Sequence, residues 1–221
     1  MSATNPPTEE ELLLWLKDTE HSFVERKVFS DSKDWLKTVV GFANTASLNY
    51  PAVLFIGARN DGSAEGKTVD LDSVQKSLSE KISMAYPPIY TETKILNVGT
   101  AKVLAVIVPG SPNRPHFAGP AYVRDGARTV VASKEQFDAL IASRDSKAYE
   151  ILQWRGKGIM FTNIARGELH PSSYSRASVV DCNKHYVTVN VGGGSFSVPL
   201  DRVHLGFDYE TKVLQLIRLP A

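Results

Sequence analysis

Residues 35–62 read WLKTVVGFANTASLNYPAVLFIGARNDG, and this stretch decides the fold class. Trp35, Leu36, Val39, Val40 and Ala43 recur at helical spacing, which predicts a helix capped by Asp34 and ending near Asn44-Thr45. Val53-Leu54-Phe55-Ile56 is then apolar without alternation for the length of a strand, so it is expected to be buried on both faces. Asn60-Asp61-Gly62 supplies the turn that follows. A strand of this kind needs a layer on each side of its sheet.

Working outward, Thr8 is a fair N-cap with Glu9, Glu10 and Glu11 in the first turn, where carboxylates suit the positive end of a helix dipole. A helix to about Asp18 follows, then a strand through Glu20–Phe29. Toward the C-terminus, Asp70 caps a helix carrying Leu71, Val74, Leu78 and Ile82. Tyr90–Leu96 and Lys102–Val108 form a hairpin about residues 97–100. After a Pro- and Gly-rich loop come a second hairpin, Tyr122–Arg124 with Arg128–Val131, and a helix capped by Ser133. These elements mix without strict alternation, which is the α+β pattern.

A helix near Ala148–Trp154 bridges to a tail of strands at Ser178–Asp181, Tyr186–Val191, Ser195–Leu200 and Val213–Leu219, with a helical turn at Pro199–Val203. Short strands alone suggest a small barrel. The expected organisation is a flexible N-terminus at 1–11, an α+β domain at 12–144, a bridging helix at 145–157 and a small all-β barrel at 158–221.

Composition limits the function. Hydrophobic residues at 43% are enough for a core, and a net charge of +1 removes the global basic excess that would by itself mark a nucleic-acid binder. The single cysteine, Cys182, allows neither an intrachain disulfide nor a cysteine zinc cluster, and reads as a small buried hydrophobe. No signal peptide or membrane-length apolar run is present, so a cytoplasmic protein is expected. His21, His116, His170, His185 and His204 lack paired ligand spacing, and no Gly-x-Ser-x-Gly elbow occurs, so zinc and serine hydrolases have no support. Gly62 to Thr68 lies between strand and helix as a P-loop would. It is one residue short and carries Glu65, whose charge would repel a phosphate.

Two sets of residues remain. Glu20, Glu25 and Asp61 are carboxylates that could share Mg²⁺ or Mn²⁺ and activate water against a phosphodiester, provided a bulge, or a strand that starts after Glu20, lets both glutamates line one groove. The alternative is three solvated charges. Lys27, Lys33, Lys37, Arg59, Arg114, Arg124 and Arg128, interleaved with Tyr90, His116, Phe117 and Tyr122, could contact phosphates and stack bases, or form an ordinary mixed surface.

Three stretches together resemble the Schlafen AlbA-like domain family across residues 12–141. They are Glu20-His21-Ser22-Phe23-Val24-Glu25-Arg26-Lys27; then Phe42-Ala43-Asn44-Thr45 with Leu54-Phe55-Ile56-Gly57, Asp61-Gly62 and Gly66; then Arg114-Pro115-His116 with Tyr122-Val123-Arg124-Asp125-Gly126. The sequence departs from the family where Arg26 replaces a Phe, where Ala46-Ser47 stands for Gly-Gly, and at Arg59-Asn60, where the family is usually acidic. The resemblance implies nucleic-acid binding on an α+β fold, and metal-dependent cleavage of transfer RNA by three acids. Glu20 and Glu25 match two of those acids, and Asp61 falls nearest the third. The expected function is therefore nucleic-acid binding, DNA or RNA, with endoribonuclease activity as an extension. A non-catalytic DNA-binding or ATP-binding regulator is the alternative, and the sequence leaves oligomeric state open, a homo-oligomer included.

Overall fold

A computed structural model describes residues 6–47, 50–142, 145–164, 173–183, 185–208 and 210–220. Residues 1–5 of the expected flexible N-terminus, Ser143 and Arg144 at the expected domain boundary, His170 and Tyr209 lie outside the described residues. The chain is a mixed α and β protein with two main sheets and a small hairpin.

Helix α1 (Glu9–Lys17) starts on a reciprocal capping box, in which Glu11 N–H donates to Thr8 Oγ1 at 3.2 Å and Thr8 N–H donates to the Glu11 carboxylate at 2.7 Å. Strand β1 (Val24–Lys27) is shorter than Glu20–Phe29, because His21 and Val24 close a tight bridge before it and a 3-10 turn at Phe29–Asp34 follows it. The strand thus begins after Glu20. Helix α2 (Trp35–Thr45) returns the chain to β2 (Ala52–Ile56), which pairs parallel with β1 and is buried at every position. Helix α3 (Leu71–Ile82) has the expected Asp70 cap. Strands β3 (Glu92–Val98) and β4 (Ala101–Val108) complete an order β1-β2-β4-β3.

Both faces of this sheet are covered, which is why β2 has no polar alternation. Leu54 and Ile56 pack with Val39, Val40 and Phe42 of α2, whereas Val53 and Phe55 pack with Leu12 and Leu16 of α1. Strands β5 (Tyr122–Asp125) and β6 (Arg128–Val131) form a hairpin against α2. Helices α4 (Lys134–Ala142) and α5 (Asp145–Leu152) lead into the tail.

The tail is a separate six-stranded sheet: β7 (Gly158–Asn163), β8 (Ser175–Cys182), β9 (Tyr186–Val191), β10 (Gly194–Pro199), β11 (Val203–Asp208) and β12 (Val213–Arg218). Its order is β10-β9-β8-β7-β12-β11, and among the described residues no ladder joins β10 to β11. Among the described residues the expected barrel is not found closed; the strands form one six-stranded sheet. The expected helical turn is a 3-10 turn at Leu200–Arg202.

The two sheets meet through side chains. Tyr90 packs with Ile164, Ile217 and Leu219 and stacks on His204 at 4.1 Å between ring centroids. Asn113 donates to the carbonyls of Asp201 and Val203 at 3.0 and 3.1 Å. Buried Lys147 of α5 bonds through Nζ to Asn113 Oδ1 and to the carbonyls of Leu200 and Val203. Among the described residues no helix is long and apolar enough to cross a membrane.

Candidate functional site

Alternation along β1 sends Glu25 to the α2 face of the sheet and Arg26 to the α1 face. Glu25 is buried and held by two cations: Lys27 Nζ lies 2.7 Å from Oε1, and Arg124 lies 2.8 Å from Oε2. Oε2 has no aligned hydrogen-bond donor, so the Arg124 contact is charge pairing. The Arg124 guanidinium also lies over the Phe42 ring and donates to His21 O at 3.3 Å and Thr129 Oγ1 at 2.8 Å. Burial works against the charge of Lys27, but Glu25, Asp34 and Glu20 outweigh it and raise its pKa.

On the other face, Arg26 closes the C-terminus of α1. Its guanidinium donates to Leu16 O at 2.7 Å, to Trp15 O at 3.2 Å and to Asp18 O. Glu20 accepts from Arg26 N–H at 2.9 Å. Asp61 sits in an exposed turn that belongs to the α1 side: a Cβ on the next residue, Gly62 (φ +79°), would fall 2.5 Å from Leu16 O. Its carboxylate accepts from the Ser63 hydroxyl at 2.6 Å and the Ser63 N–H at 2.9 Å, which lower its pKa.

The structure therefore brings Glu20, Glu25 and Lys27 into one neighbourhood and leaves Asp61 apart. Among the described residues no three Asp, Glu, His or Cys side chains gather as a metal site. As they stand, the three acids do not fit a divalent cation.

The cationic set divides too. Arg114 donates to the carbonyls of Ala43, at 3.0 Å, and Ala46, at the end of α2, and burial pushes its pKa down to about 10. It caps a helix rather than facing solvent. Arg59 donates to the carbonyls of Ala64 and Glu65, both at 2.8 Å, and orders its own loop. Lys37 lies over the Tyr122 ring at 5.5 Å, and Arg128 and Lys33 are exposed. Of the aromatic candidates, His116 is fully buried and Tyr90 nearly so. His116 Nδ1 lies 2.7 Å from Pro87 O, which can only accept, so Nδ1 carries a proton and Nε2 faces the Ser111 hydroxyl at 2.6 Å.

A different set of rings is accessible. Trp15, Tyr50, Phe23 and His21 form a row with centroid distances of 5.4, 5.4 and 6.0 Å, and Tyr50 is 42% exposed. Each ring alone reads as core in the sequence. Trp15, His21 and Phe23 are near in the chain, but Tyr50, which touches both Trp15 and Phe23, comes from just before β2, so no local pattern announces the row.

The loop once comparable to a P-loop is occupied by its own acid. Glu65 accepts from Phe29 N–H at 2.8 Å and pairs with Lys67; burial works to raise its pKa, but these partners and Arg59 lower it. ATP is expected not to bind through Gly62–Thr68. Calorimetry with ATP and Mg²⁺ checks this, and tight binding abolished by Lys67→Ala would contradict it.

The family model described as Schlafen, AlbA_2 matches residues 20–133, just over half of the chain. The chain belongs to this family. The Schlafen AlbA_2 region spans β1 to the end of the β5–β6 hairpin, and thus contains Glu20, Glu25, Arg124 and all but Trp15 of the aromatic row. Two solved structures are similar to the chain. One is the N-terminal domain of an ATP-dependent DNA helicase RecG-related protein from Nitrosomonas europaea, 26% identical with a TM-score of 0.43, covering 58% of this chain and 92% of that one. The other is the DIP2311 protein from Corynebacterium diphtheriae, 17% identical with a TM-score of 0.41, covering 63% of this chain and 33% of that one. No curated protein matches.

Proposed function

We propose that this Schlafen AlbA_2 protein is a nucleic-acid-binding module. Strands are held on the face that carries the Trp15–Tyr50–Phe23–His21 row, with Arg128, Lys27 and Lys37 toward the phosphates. The observation that carries this reading is the row itself: partly exposed rings packed tilted and edge-on against one another, ending at His21, whose carbonyl is tied to Arg124 of the β5–β6 hairpin. Bases stack on such rings whatever their sequence, and a few cations supply the salt-dependent remainder.

Fluorescence anisotropy with single-stranded RNA, transfer RNA and duplex DNA tests it. Tyr50→Ala is expected to weaken single-strand binding by about tenfold or more, because a base–aromatic stack contributes ~1–3 kcal/mol. Arg128→Ala should weaken all three and reduce the salt slope by about 1. Absence of binding at low salt, or equal affinity of wild type and Tyr50→Ala, would overturn the reading. The same samples in Mg²⁺, Mn²⁺ or EDTA decide whether Glu20, Glu25 and Asp61 also cleave. Metal-dependent products from structured RNA, lost in Glu25→Gln, would add a nuclease to the binding module.

A further inference from the structure

A cavity of about 210 Å³ lies where the two sheets meet. Ile82 of α3 and Ile89 line it from the first sheet's side, and Ile164 and Leu219 from the second. Besides Ser79, Ser83 and the tyrosines, two polar residues interrupt this apolar wall. Thr91 is 2% exposed, and its hydroxyl is buried without a hydrogen-bond partner. Arg202 is the one charged residue of the lining; the residue is half-buried, and among the described residues its side chain has neither an ion-pair nor a hydrogen-bond partner.

A buried hydroxyl without a partner is a costly arrangement unless something answers it, and a guanidinium with no protein partner beside an apolar hollow is placed to pair with an anion. The guanidinium calls for an acceptor, and the hydroxyl can take either a donor or an acceptor. At the mouth, Met84 and Tyr86 are 64% and 57% exposed, and Tyr90 in the wall is held flat by His204. Thioether and tyrosine rings favour a planar ring over an aliphatic chain. Sites for drug-sized ligands measure roughly 300–1,000 Å³, so this one suits a single ring system.

We propose that the cavity binds a compact aromatic anion. Its ring lies among the isoleucines and tyrosines, a ring heteroatom pairs with the Thr91 hydroxyl, and its carboxylate or phosphate rests on Arg202. Two sources share this chemistry, an aromatic carboxylic acid and a nucleoside monophosphate. The site is separate from the aromatic row and does not depend on it. Because its wall comes from both sheets, an occupant clamps them together and raises the melting temperature by mass action.

Calorimetry and thermal melting of the full chain, with indole-3-carboxylate and AMP as separate probes, test the proposal. One probe or both should bind one-to-one and raise Tm, and the stronger one identifies the source. Arg202→Gln is expected to weaken that binding at least tenfold. Thr91→Val should leave the ligand-free Tm equal or higher, since it removes an unanswered hydroxyl, yet weaken binding several-fold; a purely structural threonine would not divide the two readouts. Tyr50→Ala should leave probe binding unchanged. Failure of both probes to bind at millimolar concentration, or affinity unaltered by Arg202→Gln, overturns the proposal without touching the nucleic-acid reading.

Discussion

Replacing Arg124 with Ala is expected to cost about 3–5 kcal/mol of folding stability, measured by urea unfolding at neutral pH, whereas Arg128→Ala should stay within about 0.5 kcal/mol. The difference follows from position, not charge. The Arg124 side chain is 1% exposed and its partner Glu25 8% exposed, so once the guanidinium is gone the buried carboxylate keeps Lys27 as its one cation. The Phe42 contact and the bond to His21 O are lost with it. Arg128 stands in solvent on the same hairpin. A loss of nucleic-acid affinity in Arg124→Ala alone would thus report an altered fold, while the same loss in Arg128→Ala would report a contact. Equal stabilities for the two variants would show that the buried pair contributes nothing.

The second large effect is a dependence on pH. His204 is buried and stacked on Tyr90, and its pKa is pushed down to about 3, first by burial and then by Lys147 and His116. The unfolded chain takes up a proton at this residue below pH ~6.5, while the folded chain refuses it until about pH 3. Stability from this group is therefore complete above pH ~6.5 and falls by about 1.4 kcal/mol per pH unit between those limits. His204→Phe keeps an aromatic ring against Tyr90 and removes the titration. Urea unfolding between pH 4 and pH 7 should show a shallower slope for the variant; identical slopes would assign the acid sensitivity elsewhere.

Much of the fold was legible because its signals are local. Asp70 and the apolar spacing after it gave Leu71–Ile82, and alternation gave Tyr186–Val191. β7 and β11 were missed. Gly158 and Asn163 bound the first with residues that read as turn, and Gly206 interrupts the second, where the absence of a side chain lets Gln215 pack across the ladder. The barrel was expected because strand lengths alone cannot say whether a sheet closes; that depends on tilt and register, which are set by pairing.

The candidate site was less legible. Arg114 and Arg124 looked like phosphate contacts because a sequence shows charge and not burial, and the groups that consume them, the Ala43 and Ala46 carbonyls and Glu25, lie about 70 to 100 residues away. Glu20 and Glu25 were read within one strand, Glu20–Phe29; Glu25 is in β1, and Glu20 precedes it. Asp61 was tied to the end of its neighbour, and only the packing of Gly62 against α1 places that turn on the opposite face.

The covering of β2 on both faces and both edges has a consequence for motion. Its amides have no direct route to water, so they exchange with solvent only when the whole domain opens. The β5–β6 hairpin is a two-stranded ribbon laid on α2: Asn44 donates to Tyr122 O at 2.8 Å and Arg124 N–H donates to Thr45 Oγ1 at 2.8 Å, one pair short of the Asp125–Arg128 turn. The turn at residues 125–128 stands clear in solvent, so opening there is local and of small free-energy cost. The domain therefore joins a rigid centre to a fastened hairpin whose exposed tip carries Arg128.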